Sequence, residues 1–147
     1  MSLVRAILAL VIVPMLAAPP DPAAAQPIVV VGNDRGGHVN ARAQEVDRLS
    51  AERAEVRIEG RVCFSSCTMY LGAGDVCVSP ATTFGFHGPS DFGEPLPPER
   101  FDHWSRVMAR YYREPVRSWF MNTARYETRD IARVSGAQLI RLGYPSC

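Results

Sequence analysis

The sequence predicts an α/β domain built on a parallel sheet. A continuous apolar run at residues 28–31 is followed by a glycine-rich segment at residues 32–37 and an amphipathic stretch at residues 39–53. A second short strand pattern and a second helical pattern come next. Strand, turn, helix, strand and helix in this order are typical of a βαβ unit, whose two strands lie parallel in one sheet.

The first half of this unit is defined by its hydrophobic pattern. Residues 28–31 are Ile-Val-Val-Val, and four consecutive β-branched residues predict a fully buried strand. Glycine, Asn and Asp at residues 32–37 predict a turn. Apolar residues then recur at helical spacing between charged ones, which predicts an amphipathic helix; they are Val39, Ala43, Val46 and Leu49.

The later elements are shorter. Val56 and Ile58 alternate with polar residues, which predicts a strand that ends at Gly60, and a helix is expected at residues 65–72. Pro80 separates two further short strands, at residues 76–78 and 83–86.

The C-terminal third is predominantly helical in pattern. It predicts a helical region at residues 99–126 that Pro115 interrupts, and a last helix at residues 134–143 that Gly143 closes.

The N-terminus predicts export. Residues 1–25 combine Arg5, an apolar run and the small-residue motif Ala23-Ala24-Ala25, which is typical of a signal peptide cleaved before Gln26. A membrane anchor is the weaker alternative, because Pro14 interrupts a run that is short for a span. We therefore expect one periplasmic or secreted domain at residues 26–147, with no later membrane span.

Charge and cysteine content limit the class of protein. A formal net charge of +1 without a basic block argues against a nucleic-acid partner. Four cysteines in an exported chain predict two disulfides; a zinc site is the alternative, but the chain has no CxxC pair, and we expect neither metal nor cofactor. Cys63 at a strand end and Cys67 in the first helical turn can come within bonding distance.

Three features follow predicted strands, where parallel sheets bind ligands. Gly36-Gly37 can bring backbone N–H groups close to an oxyanion. Ser65 begins a helix, and His87 is a candidate base for it. Taken singly, these features are more often a simple turn, a helix N-cap and a structural histidine. Their order along the chain favours a serine nucleophile with its base.

Residues 33–89, which include these features, resemble the core of the Clp protease and crotonase superfamily. Within them, "CFSSCT…GFHGP" is similar to periplasmic Clp-like proteins with a Cys-x-Ser-x-Cys-Thr signature. The resemblance implies a small parallel βα spiral. Counting back from Ala73-Gly74, it places the nucleophile at Ser65 and the general base at His87. It also implies that Asp130 orients the histidine, and that the oxyanion donors lie among Gly36, Gly37 and Ser66.

The function that the resemblance implies is that of an exported serine hydrolase, peptidase-like, acting on a peptide or a small acyl substrate, with a homo-oligomer as one assembly. It also places the C-terminal segment beside the strand of Cys77, which pairs Cys77 with Cys147. The chain has no lysine, which excludes a Ser–Lys dyad. The alternative is a non-catalytic, disulfide-stabilised binding or scaffold module that retains the fold.

Overall fold

The computed structural model describes residues 25–147, which form a single small α/β domain. The signal peptide predicted at residues 1–25 lies almost wholly outside this described part. The strands are β1 (Ile28–Val31), β2 (Glu55–Ile58), β3 (Val62–Phe64), β4 (Asp75–Val78), β5 (Thr83–Phe86) and β6 (Ala132–Ser135). The α-helices are α1 (Val39–Ala51), α2 (Pro98–Ala109), α3 (Val116–Asn122) and α4 (Gly136–Arg141). Two 3₁₀ helices cover Ser65–Gly72, here called the Ser65 helix, and Ala124–Tyr126.

The first sheet confirms the parallel βαβ unit. Its order is β1-β2-β4, and both pairings are parallel. Helix α1 buries Ala43, Val46 and Leu49 in the core that the sheet's inner face shares. The spacing of apolar residues that predicted this helix is therefore the spacing of its buried stripe.

The prediction that the first strand is fully buried was wrong. Val31 is buried, but the side chains of Ile28 and Val30 are 55% and 59% exposed. Strand β1 lies at the edge of its sheet, and alternate residues of a strand point to opposite faces. One face of the strand meets the core and the other meets solvent.

The second sheet is mixed and corrects the expectation of a purely parallel fold. Its order is β3-β5-β6, with β3 parallel to β5 and β6 antiparallel to it. The last helix is accordingly shorter than predicted, because residues 132–135 are strand. Ser135 accepts a hydrogen bond from the Gln138 backbone and Gln138 binds back to Ser135, a capping box that begins α4 at Gly136.

The chain changes sheets at Gly60, which separates β2 from a strand, β3, that the sequence pattern did not resolve. A Cβ at Gly60 would overlap the Gly32 carbonyl, so this crossing requires glycine. The change of sheet brings β3 beside β5, with Phe64 opposite Gly85.

The C-terminal helical region is interrupted as predicted. Helix α2 ends at Ala109 and α3 begins at Val116, directly after Pro115. Within residues 25–147, none of the helices has the length and apolar character needed to cross a membrane.

The predicted disulfide between Cys77 and Cys147 is confirmed, with a Cα–Cα distance of 4.9 Å. Strand β4 also bonds the C-terminal segment through its backbone, because Val78 donates to the Pro145 carbonyl and accepts from the Cys147 N–H. Both disulfides are compatible with a periplasmic or extracellular protein.

We expect the double variant Cys77→Ala/Cys147→Ala to lose about 4 kcal/mol of unfolding free energy, because the bond closes a long loop in the unfolded chain. Urea unfolding followed by circular dichroism measures the loss. Non-reducing peptide mapping of the wild type is the control and should recover the two cysteines in linked peptides. An unchanged urea midpoint would contradict the proposed contribution of the bond.

Candidate functional site

A cavity of about 360 Å³ lies at one end of the second sheet. Both Ser65 and His87 border it, as does Gly37. The topology accounts for this meeting. Ser65 and His87 directly follow β3 and β5, two adjacent parallel strands, so both lie at the same sheet edge.

The Gly36-Gly37 turn reaches this edge by the same rule. Asp34 forms an isolated parallel bridge with Cys63, on the side of β3 away from β5. The Asp34 N–H donates to the Val62 carbonyl, and the Asp34 carbonyl accepts from the Phe64 N–H. Three parallel segments therefore end side by side, and each is followed by one of the predicted site features.

Ser65 has a left-handed backbone, with φ of +57°. Non-glycine residues rarely adopt this conformation, which costs on the order of 1–3 kcal/mol and is often found at functional sites. Here it occurs at the sharp turn from β3 into the Ser65 helix. Such a strained strand-to-helix turn is the geometry that exposes the nucleophilic serine in α/β-hydrolases.

The two neighbouring serines are placed differently. Ser65 is half-buried and borders the cavity, whereas Ser66 is fully buried. The Ser66 hydroxyl has no hydrogen-bond partner in the described part of the chain. Its backbone N–H lies in the first turn of the helix, where N–H groups have no acceptor within the helix.

The disulfide between Cys63 and Cys67 encloses this turn and confirms the predicted pairing. The Cα atoms are 5.3 Å apart, and both cysteines are fully buried. On the helix side, the Thr68 hydroxyl donates to the Ser65 carbonyl at 2.7 Å. The buried Tyr112 hydroxyl can then donate to Thr68 Oγ1, also at 2.7 Å, and burial raises the pKa of Tyr112 far above its ordinary value. A covalent bond and a chain of hydrogen bonds thus fix the Ser65 backbone.

His87 presents one ring nitrogen to its own backbone. Its Nδ1 lies 2.6 Å from the Gly88 carbonyl oxygen. Because a carbonyl only accepts, Nδ1 carries a proton, so in the neutral ring Nε2 is the nitrogen that has the lone pair. That is the tautomer a general base needs. No hydrogen bond joins Ser65 Oγ to His87 within residues 25–147, so the two side chains share a cavity without a direct hydrogen bond.

Asp130 lies away from this cavity. Its side chain is 74% exposed, and it faces Arg133 at 3.6 Å. One carboxylate oxygen accepts from the Ile131 N–H. In the described chain no hydrogen bond or ion pair links Asp130 to His87, and the Gly88 carbonyl occupies the position beside Nδ1.

The two glycines have different roles in the turn. The Gly36 N–H donates to Asp34 Oδ1 at 2.7 Å, so it is not free for an oxyanion. Gly37 borders the cavity, and its N–H has no acceptor in the part of the chain that the structure describes. Gly36 has φ of +97°, and a Cβ there would lie 2.5 Å from the Ser65 Cβ.

Sequence reasoning missed the opposite wall of the cavity. Helix α2 contributes Arg100, Trp104 and Met108, which are four residues apart and so share one helix face. This spacing could have been read from the sequence. The exposed Phe92 packs edge-on against His38 with ring centroids 5.7 Å apart, at the mouth of the cavity. Most of the cavity's lining surface is apolar, as in ligand sites generally, and the polar groups on it include Ser65, His87, Asp91 and Arg100.

Comparison of the chain with protein-family models, curated proteins and solved structures finds no match. What the structure defines is a small α/β domain with a serine and a histidine at one cavity.

The paired glycines provide a test of this geometry. Gly36→Ala should lower the unfolding free energy by about 2–3 kcal/mol, because it combines an unfavourable φ with a collision at Ser65. Gly37→Ala is the matched control, since no atom lies within 4 Å of its Cβ position. It should change stability by less than about 1 kcal/mol. Equal losses for the two variants in urea unfolding would show that Gly36 does not approach Ser65 closely.

Proposed function

We propose that this chain is a serine hydrolase, exported and peptidase-like, that acts on peptides or small acyl substrates. The observation that carries the proposal is the strained Ser65 turn, which borders the same cavity as His87 and Gly37. We also propose that the chain is a compact member of the Clp protease and crotonase superfamily. A homo-oligomer remains the proposed assembly.

The proposed mechanism follows from these placements. Ser65 Oγ attacks a substrate carbonyl carbon, and His87 Nε2 accepts the hydroxyl proton. The carbonyl oxygen becomes an oxyanion, which the backbone N–H groups of Gly37 and Ser66 stabilise. When the carbonyl re-forms, His87 returns the proton to the leaving group. Water then releases the acyl group from Ser65 by the same steps.

The catalytic groups in this mechanism are a Ser–His pair, with no carboxylate to support the histidine. The Gly88 carbonyl holds the Nδ1 proton and so selects the tautomer, which is one task of the aspartate in a catalytic triad. A carbonyl carries no full charge, so it stabilises the imidazolium less than a carboxylate would. We therefore propose a hydrolase with a low catalytic rate. Asp130 takes no part in the proposed reaction.

One observation favours a second function. Ser65 and His87 make no direct hydrogen bond, and the cavity is largely apolar. A disulfide-stabilised module that binds an apolar peptide or acyl group without cleaving it would present the same surface. The two functions differ in whether Ser65 reacts.

A fluorophosphonate probe on the purified protein separates the two functions. We expect one equivalent of label on the wild type and none on Ser65→Ala, because only an activated serine attacks the probe. Ser66→Ala is the matched control and should retain most of the labelling, since its buried, unpartnered hydroxyl takes no part in the reaction. A wild type that takes no label would favour the binding module.

The pH dependence of labelling tests His87. Histidine changes charge between about pH 5 and 8, and only the neutral ring can accept the Ser65 proton. We expect the labelling rate to rise with pH across this range in the wild type. His87→Gln should label slowly, with little dependence on pH. A wild-type rate that is flat from pH 5 to 8 would remove His87 from the mechanism.

A further inference from the structure

A partly buried ion cluster lies behind the glycine turn and takes no direct part in the proposed mechanism. Its centre is Arg42 on α1, whose side chain is only 13% exposed. Arg42 pairs with Asp34 at 2.6 Å and with Glu45 at 2.9 Å, and it also donates to the Tyr70 hydroxyl. Its guanidinium lies 4.3 Å from the centre of the Tyr70 ring.

The cluster joins the parts that carry the proposed catalytic groups. Asp34 belongs to the glycine turn, Arg42 and Glu45 to α1, and Tyr70 to the Ser65 helix. Tyr70 also donates to Glu45 at 2.7 Å, and burial together with this hydrogen bond raises its pKa. One planar guanidinium therefore contacts the turn and the helix at once, through Nη2 to Asp34 and through Nη1 to Glu45 and Tyr70.

The contact with the turn is specific. Asp34 uses Oδ2 for Arg42 and Oδ1 for the Gly36 N–H. This occupies the Gly36 N–H and fixes the turn at Gly36, which has φ of +97°. The next N–H, that of Gly37, is left beside the cavity without an acceptor in the described chain.

We propose that Arg42 is a positioning residue which, by holding Asp34, orients the Gly37 N–H toward the reacting carbonyl. This inference rests on the proposed hydrolase function, because an oxyanion donor matters only if Ser65 reacts. The structural half, that Arg42 and Asp34 keep Gly36 hydrogen-bonded, holds for a binding module as well.

The test uses Arg42→Met, which keeps an apolar side chain of similar length and removes the guanidinium group. The matched control is Arg48→Met on the same helix, which breaks an exposed ion pair with Glu52 far from the turn. Ester hydrolysis should show kcat lower by about 10–100-fold in Arg42→Met with KM within about threefold, as expected for a misplaced oxyanion donor. Arg48→Met should leave both constants unchanged.

A second readout does not depend on activity. Amide hydrogen exchange of Gly36, followed by NMR, should accelerate at least about tenfold in Arg42→Met, as its hydrogen bond opens more often. Loss of a nearby cation alone would slow exchange catalysed by hydroxide, so acceleration reports the hydrogen bond. Unchanged Gly36 exchange overturns the proposal, whatever the kinetics show.

The remaining outcomes are also decisive. If the wild type neither hydrolyses esters nor takes the probe, the hydrolase fails while the exchange result still decides the positioning role. If Arg42→Met does not fold, Arg42→Lys replaces it. Lysine keeps the charge but has no fork in which one nitrogen holds Asp34 while the other holds Glu45 and Tyr70. Gly36 exchange and kcat should therefore change in the same directions. Wild-type values of both in Arg42→Lys overturn the proposal.

Discussion

The left-handed backbone of Ser65 is the constraint around which the rest of the site is arranged. A conformation that costs on the order of 1–3 kcal/mol persists only where its surroundings impose it. Here the Cys63–Cys67 bond closes the turn, Thr68 holds the Ser65 carbonyl, and Gly36 leaves the space that Ser65 occupies. The glycine turn and the Ser65 helix are in turn tied together through Arg42. Interactions spread over three segments of the chain therefore hold one strained residue in place.

Much of the fold was readable because its signals are local. The apolar stripe of α1, the strands around Pro80 and the break at Pro115 all depend on residues near one another in sequence. Strand β6 was missed because it forms by pairing with β5, and its own pattern gives little sign of this. Strand β1 was expected to be buried because an apolar run carries no record of which strands flank it. Edge position is a property of the whole sheet.

The residues of the candidate site also differ in how far the sequence alone could place them. Ser65 and His87 were both expected at the carboxyl ends of parallel strands, and they do meet at one sheet edge, although β3, the strand that leads into Ser65, was not predicted. Asp130 could not be placed, because it follows a loop whose path depends on tertiary contacts. Asp34 and Arg42 were passed over because charged residues in a turn and on a helix are usually solvated. Only the structure shows that this pair is partly buried and acts on Gly36.

The bond between Cys63 and Cys67 also has a consequence in time. Both cysteines are accessible while the chain is unfolded and fully buried once it has folded. An oxidant can therefore reach them early, whereas a reductant that arrives later finds them sealed under the core. Oxidation therefore closes the Ser65 turn most readily before the core packs, and packing then protects the bond. A chain that folds before it is oxidised lacks the covalent closure of that turn, and only reopening of the core can supply it.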